Sequence, residues 1–443
     1  MHIEQQLDEV KNVVADALKF AQRKGATHAE ASMSRVEGIA VSARLGEVEN
    51  VEFTNDGGLG ISVYVGQRKG SASTADLSPK ALQQTVEKAV DIARFTNDDP
   101  CSGLADAALI ARTIPDCDLY HPIELDAKQG LALALEAESV AMSADKRITN
   151  SDGASYNANL GLRVYGNTHG ILAGYPSSRY SLSCVVIGEQ DGEMQRDYSY
   201  TVDRKAHRLH SAQQVGEEAA RFTLERLGAR KIDTASVPIL FSRDIASSLF
   251  GHFISAISGG SLYRESSFLL DSKGKQLFPN WLCIDEKPHT PAGLASSPFD
   301  HEGVATQDAV IVDHGVLQDY LLTSYSARKL GLTTNGHAGG IHNWQISHTG
   351  ESDQQLLAKM GTGLLVTELM GQGVNIVNGD YSRGAAGFWV ENGVIQYPVH
   401  EVTIAGSLAD MFANIVAVGA VQECRGSIST GSVLVEKMHV AGH

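Results

Sequence analysis

The chain has 443 residues, 43% of them hydrophobic and 20% charged, with a formal net charge of −16. That length is too great for one ordinary core and points to two or three domains, and the hydrophobic share excludes a disordered chain. An acidic surface repels phosphate backbones, which makes nucleic acid a poor candidate partner.

Ile3, Leu7, Val10, Val14, Ala17, Leu18 and Ala21 recur at steps of three and four, predicting an amphipathic helix stopped by Gly25. The period then changes to two. Ile39, Val41, Ala43 and Leu45 alternate with polar residues, as do Leu59, Ile61, Val63 and Val65, with Asn55-Asp56-Gly57-Gly58 as the expected turn between strands. Ser78-Pro79 opens a second helix as N-cap and first residue. After a connector from Asn97 to Pro122, Asp126 begins a third helix that ends near Asp145. Turn signals at Ser151-Asp152-Gly153, Asn167-Thr168-His169-Gly170 and Gln190-Asp191-Gly192 predict an antiparallel meander, closed by a helix from about Lys205 to Leu227.

Gly228 to Ser236 reads as a linker, followed by a short strand, Val237 to Phe241, and a helix from about Asp244 to Ser258. The remainder is glycine-rich and mostly β. Phe388-Trp389-Val390 and Val394-Ile395-Gln396-Tyr397 flank Asn392-Gly393, the signature of a type I′ hairpin. Leu321 to Gly331 reads as a strand end entering a short helix capped by Gly331. Tyr325 and Arg328 on it are expected to be structural rather than ligand-facing. Helices and strands come in blocks, so the fold class is α+β: N-terminal helices packed on an antiparallel sheet, then a β-rich, barrel-like C-terminal domain with few helices. The expected division is 1–228, with sub-segments of about 1–112 and 113–228, and 229–443.

Five cysteines, odd in number, far apart and never in C-x-x-C, fit a reducing cytosol. No basic leader precedes an apolar core, and no run approaches the ~18 apolar residues of a membrane span. A cytoplasmic protein without membrane contact is therefore expected. The only basic cluster, Arg226 to Lys231, reads as a solvated helix end.

Motifs of self-sufficient enzymes are missing. Neither His301-Glu302 nor His400-Glu401 continues into the H-E-x-x-H of a zinc helix. No G-x-S-x-G elbow and no phosphate loop is present. In Gly336-His337-Ala338-Gly339-Gly340-Ile341-His342-Asn343-Trp344, two histidines have the chemistry of metal ligands, with His252 or His348 as a third. No acid or cysteine is spaced to complete that site, so no metal is expected on this chain, and His337 and His342 count as groove-lining candidates. Asp380, Tyr381, Ser382 and Arg383 lie between Gly379 and Gly384 and read as a polar loop suited to holding an extended peptide.

Several segments together resemble one family. They are Gly46 to Phe53, Arg68 to Ser73, Leu321 to Gly331, Gly336 to Trp344 and Gly379 to Glu391. With the order of elements, they are similar to the TldD/PmbA peptidases, once labelled modulators of DNA gyrase, and to the PmbA (TldE) branch of that family. The resemblance implies a cytoplasmic zinc metallopeptidase made of a TldD and a TldE subunit, trimming unfolded peptides such as peptide-antibiotic precursors and antitoxins. In TldD-type chains it implies zinc held by H-E-x-x-x-H on a helix plus a later cysteine, with the glutamate as general base. Here the corresponding helix reads Ser247-Ser248-Leu249-Phe250-Gly251-His252, and Thr430 stands at the cysteine position, with Cys424 nearby. A hydroxyl replaces neither an imidazole on zinc nor a carboxylate base. The resemblance thus implies a non-catalytic subunit that carries no catalytic residue and no cofactor of its own. The zinc is expected in a TldD-like paralogous partner, and homodimerisation in the partner's absence is left open. Two alternatives remain: an autonomous metallohydrolase using His252, His337 and His342, and a regulatory binding protein.

Overall fold

The computed structural model describes residues 3–442. Its N-terminal half is built on one six-stranded antiparallel sheet of β1 (His28–Arg44), β2 (Glu47–Val65), β3 (Arg68–Thr74), β4 (Ile148–Asn167), β5 (Leu172–Gln190) and β6 (Glu193–Asp203), in the order β3-β2-β1-β4-β5-β6. The sub-segments on either side of residue 112 therefore share a sheet, joined where β1 pairs β4. Side chains alternate across a strand, so the odd-numbered residues of β1 form two buried rows, one on either side of Arg35 and Glu37. Ala29, Ala31 and Met33 pack under α1 (Ile3–Arg23) and α2 (Pro79–Phe95), and Ile39, Val41 and Ala43 under α3 (Ala127–Ser143) and α4 (Ala212–Glu225). On the other face Tyr165 and Ala173 pack against Phe299 and Val304 of the C-terminal half.

Local capping chemistry sets the helix starts. The Ser78 hydroxyl accepts from Ala81 N at 3.4 Å, and the Asp126 carboxylate accepts from Lys128 N at 2.8 Å. Other expectations need correction. Asn55 to Gly58 is no turn: β2 runs straight through it, pairing with Arg35, Val36 and Glu37. Gly57 marks crowding instead, since a Cβ there would meet Ser34 O at 3.1 Å. The reversal comes earlier, at Leu45 and Gly46, both with positive φ (52° and 78°), so Leu45 leaves the buried alternation and is exposed. Ser151-Asp152-Gly153 is a register shift inside β4 rather than a turn. The helix expected from Lys205 is a short 3-10 turn, Ala206–Arg208, followed by α4 with Ser211 as its cap.

The C-terminal half opens with β7 (Ala235–Phe241) and α5 (Arg243–Ile257). Around β7 a strand ring closes. It pairs in parallel with Gly363–Met370, which pairs with Asp380–Glu391, then Val394–Ser407, then Val433–Ala441, and so back to β7. This five-stranded barrel buries Ile239, Phe241, Val366, Val433 and Ile404 against Leu249, Phe250 and Phe253 of α5. A five-stranded sheet containing Ile284–Glu286 and Trp344–Ile346 lies alongside, with Trp344 fully buried. The Asn392-Gly393 hairpin turn is present, with φ of 50° and 75°. The segment before it is a strand, Asp380–Glu391, not a loop. Gly331 caps the short helix Ser324–Leu330 at φ 68°. As expected, Tyr325 and Arg328 are structural: Tyr325 Oη donates to Asp99 at 2.8 Å, and Arg328 holds the Cys101, Gly103 and Leu104 carbonyls. Among the described residues no helix is long and apolar enough to cross a membrane.

Candidate functional site

Between the two halves lies a cavity of about 910 Å3, walled by β6 and α4 on one side and by α5 and the barrel on the other. Tyr198 and Tyr200 of β6 stack at 6.2 Å and, with Phe222, Phe388 and Tyr397, give it apolar walls. The first turns of α5 project Ser247 and Ser248 into it. Five carboxylates line the cavity and each has an arginine. Arg226 pairs with Asp197 at 3.3 Å and also with Glu368, Arg221 with Glu225 at 3.2 Å, Arg243 with Asp353 at 3.5 Å, and Arg425 with Asp244 at 3.4 Å. Arg425 also lies 4.5 Å over the Tyr200 ring, clasping the two halves together. The cluster from Arg226 to Lys231 is accordingly no basic patch: Arg226 is paired, Arg230 covers Tyr397 at 4.7 Å and Lys231 meets Glu401 at 2.8 Å.

The quartet Asp380 to Arg383 is split by strand alternation. Tyr381 and Arg383 point towards α5; Tyr381 is 2% exposed and meets His252 edge-on at 5.8 Å. Asp380 and Ser382 point the other way and are exposed, with Asp380 bound to Asn378 at 2.6 Å. Of the four, only Arg383 lines the cavity. Burial pushes the Tyr381 phenol up to about 12. Burial, and then the charge of Arg383, push the His252 imidazole below its ordinary range. Three buried polar atoms on α5, its cap and the facing strand have no partner: Ser242 Oγ, His252 Nε2 and Arg383 Nε.

His337 and His342 lie elsewhere, away from both His252 and the cavity lining. They meet Glu286, which stands 51 residues before His337 on the strand Ile284–Glu286. The expectation that no acid completes this group is thus wrong: tertiary pairing, not spacing, supplies one. The Glu286 carboxylate is 2% exposed. One of its oxygens takes His337 Nε2 at 2.6 Å and the other the backbone N of His342, also at 2.6 Å. Burial acts to raise the Glu286 carboxyl, but the hydrogen bonds from His337 and His342 outweigh it and hold it at about 2.

Two imidazoles and a carboxylate are a known zinc donor set, but the geometry here is that of a hydrogen-bonded knot. Two ligands on one tetrahedral zinc sit roughly 3.4 Å apart, well beyond the 2.6 Å between Glu286 and His337. Asn335 is oriented by Leu322 N on its Oδ1 at 3.1 Å and by its own Nδ2 on Tyr320 O at 2.7 Å. His337 Nδ1 lies 2.8 Å from Asn335 Oδ1 and Nε2 lies 2.6 Å from Glu286, so both ring nitrogens are already engaged within the chain. At α5 the fit is also poor. His252 offers one orphaned nitrogen, Ser247 and Ser248 offer hydroxyls, and Ser248 Oγ already donates to Ile245 O at 2.7 Å. The neighbouring Arg383 cation repels a dication. Thr430 is fully buried and donates to Gly431 O at 3.1 Å, and Cys424 is exposed. The residues at neither place fit zinc as they stand.

A closed five-stranded barrel joined to a six-stranded antiparallel sheet, with a helix at the junction, defines a two-part α+β scaffold. The chain belongs to the PmbA/TldD metallopeptidase family. Residues 29–93, 120–227 and 234–442 match the family's domain 1, central domain and C-terminal domain, each described as PmbA/TldA metallopeptidase. Metalloprotease PmbA of Escherichia coli O157:H7 is 55% identical over 440 residues, covering 99% of this chain and 98% of that protein. A Haemophilus influenzae metalloprotease TldD homolog is 22% identical over 395 residues, 84% of this chain and 80% of its own length. Among solved structures, a Bacteroides thetaiotaomicron protein described as a modulator of DNA gyrase superposes with a TM-score of 0.93 at 26% identity, covering 98% and 99% of the two chains. TldE from Thermococcus kodakarensis shares the fold, with a TM-score of 0.81 at 18% identity over 97% and 100% of the chains.

Proposed function

We propose that this chain is the non-catalytic, peptide-holding subunit of a cytoplasmic zinc peptidase, paired with a TldD-type paralogue and acting on unfolded peptides such as peptide-antibiotic precursors and antitoxins. The observation that carries the reading is the junction helix. Where the family resemblance implies an imidazole and a general base, α5 presents Ser247 and Ser248 to the cavity. A hydroxyl cannot accept a proton near neutral pH as a carboxylate does. The paralogous TldD homolog supports a two-chain assembly. An open strand edge supports the same reading: β3 covers only Leu59 to Val65 of β2, so residues 47–58 keep one open edge, along which Val48, Val51 and Phe53 are exposed. The cavity's aromatic walls suit an extended chain of mixed sequence, whose main-chain groups bind without regard to side chains.

When bound in the partner, zinc supplies an activated water and polarises the scissile carbonyl. This chain's residues hold and orient the peptide. An unstructured peptide is expected to be cleaved by an equimolar mixture with the TldD-type chain and left intact by this chain alone. Hydrolysis by the isolated, chelator-treated chain would refute the division of labour.

A further inference from the structure

The cavity contains five arginines, and four of them are already committed to its carboxylates. Arg383 is the exception. It has no ion pair or hydrogen bond among the described residues, and its Nε is buried without a partner. A half-buried guanidinium left this way carries a desolvation cost that nothing in the chain offsets. The strand geometry keeps it there. Arg383 lies on the same face as Tyr381, two residues away, and Tyr381 is locked against His252. Ser242 Oγ, another orphaned buried group, lines the same cavity, as does Ser247. A planar fork with its acceptor missing, accompanied by hydroxyls, matches a carboxylate. The surrounding aromatic rings match the side chains of a peptide that bears one.

We propose that Arg383 is the carboxylate-binding residue of this chain, receiving an anionic group of a peptide lodged in the cavity between α5 and β6. This rests on the reading that the cavity holds peptide, and adds what the peptide must carry there. The carboxylate has two sources, the peptide C-terminus and an Asp or Glu side chain. Arg383 is a binding group and takes part in no bond-breaking step.

The test is calorimetric titration of the full-length chain, alone and mixed with the TldD-type paralogue in the presence of phenanthroline, a neutral chelator that does not compete as an anion. The probes are three unstructured decapeptides of one sequence: a free acid without Asp or Glu, its C-terminal amide, and that amide with one internal Asp. At least one carboxylate-bearing peptide is expected to bind about tenfold or more tightly than the plain amide, and which one does so identifies the source. Arg383→Met is expected to bring all three to the affinity of the amide, while Arg383→Lys retains part of the preference. An unchanged melting temperature for Arg383→Met certifies that the variant is folded. Equal binding of all three peptides to the wild type, or a preference that survives Arg383→Met, overturns the carboxylate site and leaves the peptide reading standing. Absence of binding by any peptide in either state overturns both.

Discussion

Around Glu286, both carboxylate oxygens and both nitrogens of the His337 ring have partners within the chain. Along α5 and the barrel strand that faces it, Ser242, His252 and Arg383 each bury a polar atom that has none. Both regions contain histidine and charge, and both lie in the C-terminal half. The difference shows that residue type does not mark a working site. Folding alone selects for closed polar clusters, because an unmatched buried group is costly. A cluster left open is therefore the better pointer to an external ligand.

The comparison can be broken most directly at its closed side. Glu286→Ala strands His337 and the His342 amide in the interior. It is expected to cost about 3–5 kcal/mol in urea unfolding, and a loss below 1 kcal/mol would show that the knot contributes little. Acid sharpens the same point. The folded Glu286 carboxyl lies at about 2 against an ordinary value of 4.5. Its contribution is therefore complete above about pH 4.5 and is lost as pH falls from there towards 2. The stability curve of Glu286→Gln should be flatter than wild type across that window.

On the open side the effects are smaller and diverge by pairing. Arg425→Ala removes a paired guanidinium that bridges α5 and Tyr200, with an expected loss of about 1–2 kcal/mol. Arg383→Met removes an unpaired one and is expected to change stability by less than about 0.5 kcal/mol, or to raise it. If Arg383→Met proved as damaging as Arg425→Ala, Arg383 would have a structural partner and the contrast between the two arginines would collapse.

What the sequence by itself determined is local. The periodicity of α1, the caps at Ser78 and Asp126, the positive-φ turn at Asn392-Gly393 and the Gly331 cap all depend on residues within one or two turns of each other. The presence of Ser247 and Ser248 on a helix was legible for the same reason. Glycine was the ambiguous signal: Gly57 and Gly153 read as turns, yet mark crowding and a bulge within long strands, because only the neighbouring strand decides between these uses. Tertiary structure decided the rest. Strand pairing placed Glu286 opposite Trp344 and so beside His342. The pleat sent Arg383 inward and Ser382 outward, and closure of the barrel placed α5 across the cavity from β6. These outcomes depend on register between segments far apart in sequence, which no local pattern encodes.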